Sequence, residues 1–145
     1  MKNTALATLF LLLASCSSST QTTSTTSAPA PAPAAKAPDE AAALKIVKDT
    51  VNAETDYFKR NRRYALTYEE LVDAHLMMEE PSTTATGYEF KLRPAANAQS
   101  YKLLANPANP SPTTKFFFTD QKGEIKAEQG KEATADSPNV SGEIR

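Results

Sequence analysis

The chain has 145 residues, with 16 Lys and Arg against 17 Asp and Glu, one histidine and one cysteine. Its near-neutral balance, net −1, argues against a nucleic-acid partner. A single cysteine excludes an internal disulfide, so any folded region must be held by packing alone. Apolar residues are spread too unevenly for the whole length to fold, and the first quarter is unlike the rest.

Met1–Ser15 carries one positive charge, at Lys2, and then an apolar run from Leu6 to Ala14 broken only by Thr8. A run of about nine residues is too short to cross a bilayer as a helix, and a charge followed by a short apolar stretch is the layout of a secretory signal. Its removal would leave fifteen basic against seventeen acidic residues, net −2. Leu13-Ala14-Ser15-Cys16 closes this segment. The tetrad resembles the bacterial lipobox, in which an aliphatic residue and two small ones precede a cysteine. The resemblance implies that Leu13, Ala14 and Ser15 are the signal-peptidase recognition residues and that the Cys16 thiol is joined to diacylglycerol. Cleavage would then fall between Ser15 and Cys16, and a further acyl chain such as palmitate would be added to the new amino group. Each buried CH₂ is worth roughly 0.8 kcal/mol, so two or three long chains make such attachment effectively permanent. Ser17, rather than Asp, follows the cysteine. That resembles the outer-membrane sorting signal of lipoproteins in double-membrane bacteria, and the expected location is the outer membrane, facing the periplasm. The competing reading is an ordinary secretory signal cut nearby, with Cys16 left as an incidental thiol.

From Ser17 to Ser27 every residue except Gln21 is Ser or Thr, and from Ala28 to Pro38 every residue except Lys36 is Ala or Pro. Neither stretch can build a core. The first is expected to be a disordered leash and the second a stiffer polyproline II spacer, so residues 16–38 form a lipidated tether. At about 3.1 Å per residue the tether would reach roughly 70 Å. A cell-wall-binding or glycosylated stalk is the alternative use of such a segment.

A domain is expected over 39–129. Asp39 can cap a helix from Glu40 to about Asn61, with Leu44, Val47, Val51 and Phe58 near one face. Glu40 in its first turn and Lys59, Arg60, Arg62 and Arg63 around its end suit the helix dipole, although the basic cluster could instead meet anionic lipid or saccharide. Thr67-Tyr68-Glu69-Glu70 reads as a capping box flanked by Leu66 and Leu71, opening a second helix to about Met78. Its buried stripe would include Leu71, Val72, His75, Leu76 and Met78, and Pro81 would end the segment. His75 is the sole histidine and reads as structural or solvated rather than catalytic. Glu79 and Glu80 are adjacent, which turns them apart on a helix, so they make a poor metal or acid/base pair.

After Gly87 the period becomes two, with Tyr88, Phe90 and Leu92 alternating with Glu89, Lys91 and Arg93 as in a half-buried strand. A second strand is expected at Tyr101–Ala105, and the three prolines between Asn106 and Pro112 demand an irregular loop. Lys115–Thr119 and Glu124–Glu128 then form a hairpin, with Gly123 free to take positive φ. Pairing Thr119 with Glu124 would place Phe118 opposite Ile125 and Phe116 opposite Ala127, leaving Phe117 on the face away from the helix. The polar tail over 130–145 is expected to be only loosely held.

One helix, a short helical region and three or four antiparallel strands is the order seen in type IV pilins and pseudopilins. Four segments carry the resemblance: Thr86–Phe90, Tyr101–Pro107, Phe117–Ile125 and Ala133–Pro138. They are similar to the globular domain of a bacterial pilin-like group over about residues 41–138. The fold so implied is α+β, a long N-terminal helix and a short one packed on a three- to four-stranded antiparallel sheet. Pilins begin with a prepilin-peptidase leader and a long apolar helix; here a lipobox and tether stand in that place. The preferred reading is a non-enzymatic, membrane-anchored binding or assembly module whose partner is an envelope, pilus or secretion protein. No catalytic residue, cofactor site or metal site is assigned. The alternative is a lipid-anchored periplasmic enzyme or small-ligand carrier, against which stand the absence of a Gly-rich phosphate loop and of a Ser nucleophile motif.

Overall fold

The computed structural model describes residues 37–140, so the signal, Leu13, Ala14, Ser15, Cys16 and the tether up to Lys36 lie outside the described residues. Within that range the architecture is α+β, a helix packed against a four-stranded antiparallel sheet. The elements run α1 (Glu40–Asn61), α2 (Tyr68–Asp73), α3 (Thr83–Thr86), β1 (Tyr88–Pro94), β2 (Tyr101–Pro107), β3 (Lys115–Asp120) and β4 (Lys126–Gln129). The strands form a meander in the order β1-β2-β3-β4. None of the described helices is long and apolar enough to cross a membrane.

Asp39 caps α1, its Oδ1 accepting from Ala42 N–H at 3.0 Å. The helix stops where Arg62 turns left-handed at φ 58° and donates its N–H to Phe58 O. Its buried stripe is Ala43, Val47, Thr50, Ala53, Glu54 and Tyr57, rotated from the expected line through Leu44, Val51 and Phe58. The small side chain of Ala43 lets the helix approach the sheet, Ala53 packs in a second cluster with Tyr57, Ala65 and Leu71, and Leu44 and Phe58 are half-buried. The main core joins Ala43 and Val47 to Tyr88, Tyr101, Leu103, Ala105, Phe117 and Ile125 of the sheet side. Tyr88 crosses the sheet end to donate its hydroxyl to Lys115 O at 2.7 Å.

Thr67 caps α2 as expected, its hydroxyl accepting from Glu70 N–H at 3.3 Å, and Glu70 reaches back one residue further, to Leu66 N–H at 3.0 Å. The helix ends at Asp73 instead of running to Met78. His75 takes φ 58°, and the N–H groups of Leu76 and Met77 both turn back to Leu71 O. That reversal buries Leu71, leaves His75 exposed and leaves Met78 wholly exposed.

The hairpin register differs from the expected one. Phe117 pairs with Ala127 and Phe118 with Lys126, because five residues, not four, separate β3 from the residue that resumes pairing. The Asp120 carboxylate accepts from Lys122 N–H and its carbonyl accepts from Gly123 N–H, a turn in which Gly123 has φ 75° as its position requires. Glu124 and Ile125 then precede the ladder. A shift of one residue reverses every side chain. Phe117 therefore enters the core beneath α1, and Phe116 and Phe118 face outward.

The tail, expected to be loosely held over 130–145, is packed over 130–140, and residues 141–145 lie outside the described residues. Gly130 turns the chain with φ 74°, where a Cβ would meet Pro112 O at 2.9 Å. Residues 132–137 then lie against the outer sheet face, and Val140 reaches round to the main core. Ala133 is buried with Leu104 and Phe118, Glu132 accepts from Asn106 Nδ2, and Ser137 donates to Glu128 Oε2. The chain returns beside β4, where Ala127 N–H meets Pro138 O and Val140 N–H meets Ile125 O.

Candidate functional site

Two features stand out beside α1: a groove on its outer flank and a buried carboxyl beneath its C-terminal half. The groove lies between α1 and the segment that follows α2, with a volume of about 450 Å³. Ile46 and Ala53 of α1 face Leu76, Met77 and Pro81 across it. Met78 stands at the lip with its full surface in solvent. Lys45, Asp49, Asp56, Glu79 and Glu80 form the rim. Lys45 is paired with Asp49 at 2.6 Å and Asp56 with Lys59 at 2.8 Å, whereas Glu79 and Glu80 make no ion pair among the described residues. The rim is thus net negative around an apolar floor.

At the junction of α1 and α2, Arg63 holds Glu70 through both guanidinium ends, at 2.8 and 3.2 Å. The same guanidinium sits 5.3 Å from the centre of the Tyr57 ring, and Tyr57 Oη donates to Glu70 Oε2 at 3.1 Å. The Arg63 hydrogen bond leads the influences that hold the Glu70 carboxyl below its usual range. Glu54 lies deeper. It is wholly buried, and its Oε2 accepts from Ala65 N–H at 2.9 Å. Its Oε1 has no hydrogen-bond partner. Burial pushes its pKa up from 4.5 to about 7, against the downward pull of the Ala65 N–H. The Tyr68 hydroxyl is buried close to that of Thr50, but Thr50 points its hydroxyl at Ile46 O, so Tyr68 Oη also lacks a well-formed bond.

Of the residues singled out in the sequence, Cys16 and the lipobox lie outside the described residues. His75 is exposed, its Nδ1–H donating to Asp73 O at 2.9 Å, and it joins no catalytic partner in either feature. Glu79 and Glu80 sit on the groove rim. The basic cluster divides: Lys59 and Arg63 are drawn into ion pairs, and Arg60 and Arg62 are exposed. Among the described residues no group of three or more His, Cys, Asp or Glu is placed to hold a metal ion. Sequence reasoning missed Glu54, although its position seven residues after Val47 puts a carboxyl on the same helical face as the core. No family model matches the chain, and neither the curated proteins nor the solved structures compared with it give a match.

Proposed function

We propose that the chain is a lipid-anchored envelope protein acting as a non-enzymatic binding module, with the groove between α1 and residues 76–82 as its docking surface. Met78 carries this reading: a large apolar side chain, fully solvent-exposed, at the lip of an apolar groove. Methionine is polarizable and unbranched, and it adapts to partner surfaces of varied shape. The unpaired Glu79 and Glu80 select a protein segment whose apolar stripe is flanked by Lys or Arg. Cys16 supplies the anchor in this reading, and the Ser/Thr- and Ala/Pro-rich stretch supplies reach toward a partner fixed elsewhere in the envelope. The pilin-like kinship in this reading is drawn from the sequence, and the chain order of α1, two short helices and an antiparallel meander is compatible with it. A pilus or secretion component is the class of partner that kinship implies.

A photo-crosslinking residue placed at position 78 of the full-length chain, in its native membranes, tests the reading. One dominant envelope adduct is expected, lost when Glu79→Lys and Glu80→Lys are introduced together. The same crosslinker at Glu69, on the exposed side of α2, should give none. Equal yields at the two positions, or an adduct indifferent to charge reversal, would reject the groove as the docking surface.

A further inference from the structure

Glu54 is a fully buried acid with no cation bonded to it. Its one hydrogen bond crosses from α1 to the Ala65 amide in the α1–α2 connection, and Ala65 is itself wholly buried. Ala65 belongs to a small cluster with Ala53, Tyr57 and Leu71, against which Leu76 and Met77 pack, whereas its neighbour Tyr64 packs against the main core. The main core lies between α1 and the sheet, and only Tyr68 packs against both clusters. We propose that Glu54 makes the α1–α2 junction a proton-controlled latch, closed while the carboxyl is protonated and loosened from α1 over residues 62–77 when the proton is lost, with the sheet remaining folded.

The surroundings of Glu54 offer an anion little compensation. From α1 it is faced by Tyr57, from the connection by Arg63 and Tyr64, from α2 by Tyr68 and Glu70, and from β2 by Tyr101. Asp120, at the end of β3, acts on Tyr64 and Tyr101 from the far side. Arg63 is the sole cation of that set, and its guanidinium is directed at Glu70 and the Tyr64 carbonyl. Glu70 repels a second negative charge. A proton on Glu54 removes the conflict; without it, the carboxylate must be hydrated. Lifting the 62–66 connection admits water at the cost of the small cluster, the Tyr64–Tyr101 ring contact and the bonds from Tyr64 N–H to Ala98 O and from Gln99 Nε2 to Arg62 O, while the pairing of the strands is left intact.

The direction with pH follows from the shift. Glu54 titrates higher in the fold, about 7, than its ordinary 4.5, so the closed state keeps its full advantage below 4.5 and loses it as pH rises through about 7. Glu70 acts oppositely. Its carboxyl is held low, so its contribution is present above the ordinary carboxylate range and is lost in acid, when Arg63, Tyr57 and the Leu66 amide are released. The junction is therefore tightest in mildly acidic solution. Leu76 and Met77 belong both to the small cluster and to the groove wall, so the groove changes shape with the latch. The latch itself does not depend on what docks there.

Amide hydrogen exchange of the full-length chain, corrected for intrinsic rates, reads the latch residue by residue. Between about pH 5.5 and about pH 8.5, protection at Ala65, Leu76 and Met77 should fall about ten-fold or more relative to Leu103 and Phe117 in the sheet. Glu54→Gln keeps the acceptor for Ala65 N–H and cannot ionise, so its ratio should stay flat. An unchanged ratio in the wild type, or the same fall in Glu54→Gln, would overturn the proposal. Should that variant fail to fold, the carboxyl carbon of Glu54 can be titrated by NMR in the wild type. A midpoint near neutrality shared by the Ala65 amide supports the latch, and a midpoint in the ordinary carboxylate range rejects it.

Discussion

Phe116, Phe117 and Phe118 are consecutive and chemically identical, yet their surroundings differ. Phe117 is 2% exposed and packs with Tyr88, Leu103 and Ala105 beneath α1. Phe118 is covered on the other face by Leu104 and Ala133, and Phe116 is only half-buried at the margin of that patch. Truncating a large core aromatic costs about 3–5 kcal/mol, so Phe117→Ala should cause a loss of that order in denaturant melts. Phe118→Ala should cost less, since the tail can settle into the space, and Phe116→Ala least. Equal losses for Phe116→Ala and Phe117→Ala would contradict the observed register. The alternating strand pattern could be read from the residues themselves, but three phenylalanines in a row are apolar on both faces, so hydrophobicity could not say which one points inward. Glu54 is the opposite case. Its place on the apolar stripe of α1 was visible in the sequence, whereas the absence of a counter-ion depends on Arg63 choosing Glu70 thirteen residues from Tyr57, its other partner.

Among the elements, α1 begins and ends where its caps place it, and both ends were legible: Asp39 for the start and the run of basic residues around Asn61 for the finish. α2 was legible at one end. Thr67 and Glu70 are local signals separated by three residues, and the structure uses both. Thr67→Ala should lower stability by about 1 kcal/mol, the usual effect of removing an N-cap acceptor. Glu70→Ala should cost more than Thr67→Ala, because one carboxylate serves Arg63, the Tyr57 hydroxyl and the Leu66 amide together. Melts of the two variants decide this; a smaller loss for Glu70→Ala would mean that the Arg63 network contributes little. The far end of α2 could not be read. Leu76, Met77 and Met78 continue an apolar helical pattern, but Leu71 must reach the small cluster with Ala53 and Tyr57, and the chain reverses at His75 to keep Leu76 and Met77 against the same cluster. Tertiary burial there outweighs a helical preference of a few tenths of a kcal/mol per residue.

For the molecule as a whole, the anchoring reading rests on Cys16. Replacing it with Ala should abolish labelling by palmitate and leave the signal uncut, because the lipobox resemblance implies a peptidase that acts after the thiol is modified. Intact mass and labelling measure both. Wild-type chain recovered without lipid, or cut elsewhere, would remove the anchor from the proposed function. By itself the sequence determined the α+β composition of the described domain, the limits of α1, the start of α2, the order of the strands and the turn at Gly123. Those properties follow from caps, periodicities and turn residues that act within a few positions of one another. Tertiary structure alone decided the burial of Phe117, the reversal after Asp73, the isolation of Glu54 and the seating of residues 132–137 on the outer face. Each of these depends on partners remote in sequence, as Glu54 is from Ala65 by 11 residues and Asn106 from Glu132 by 26. A contact of that kind forms only after the chain has closed a loop, and its worth is set by the water that the rest of the fold excludes from it.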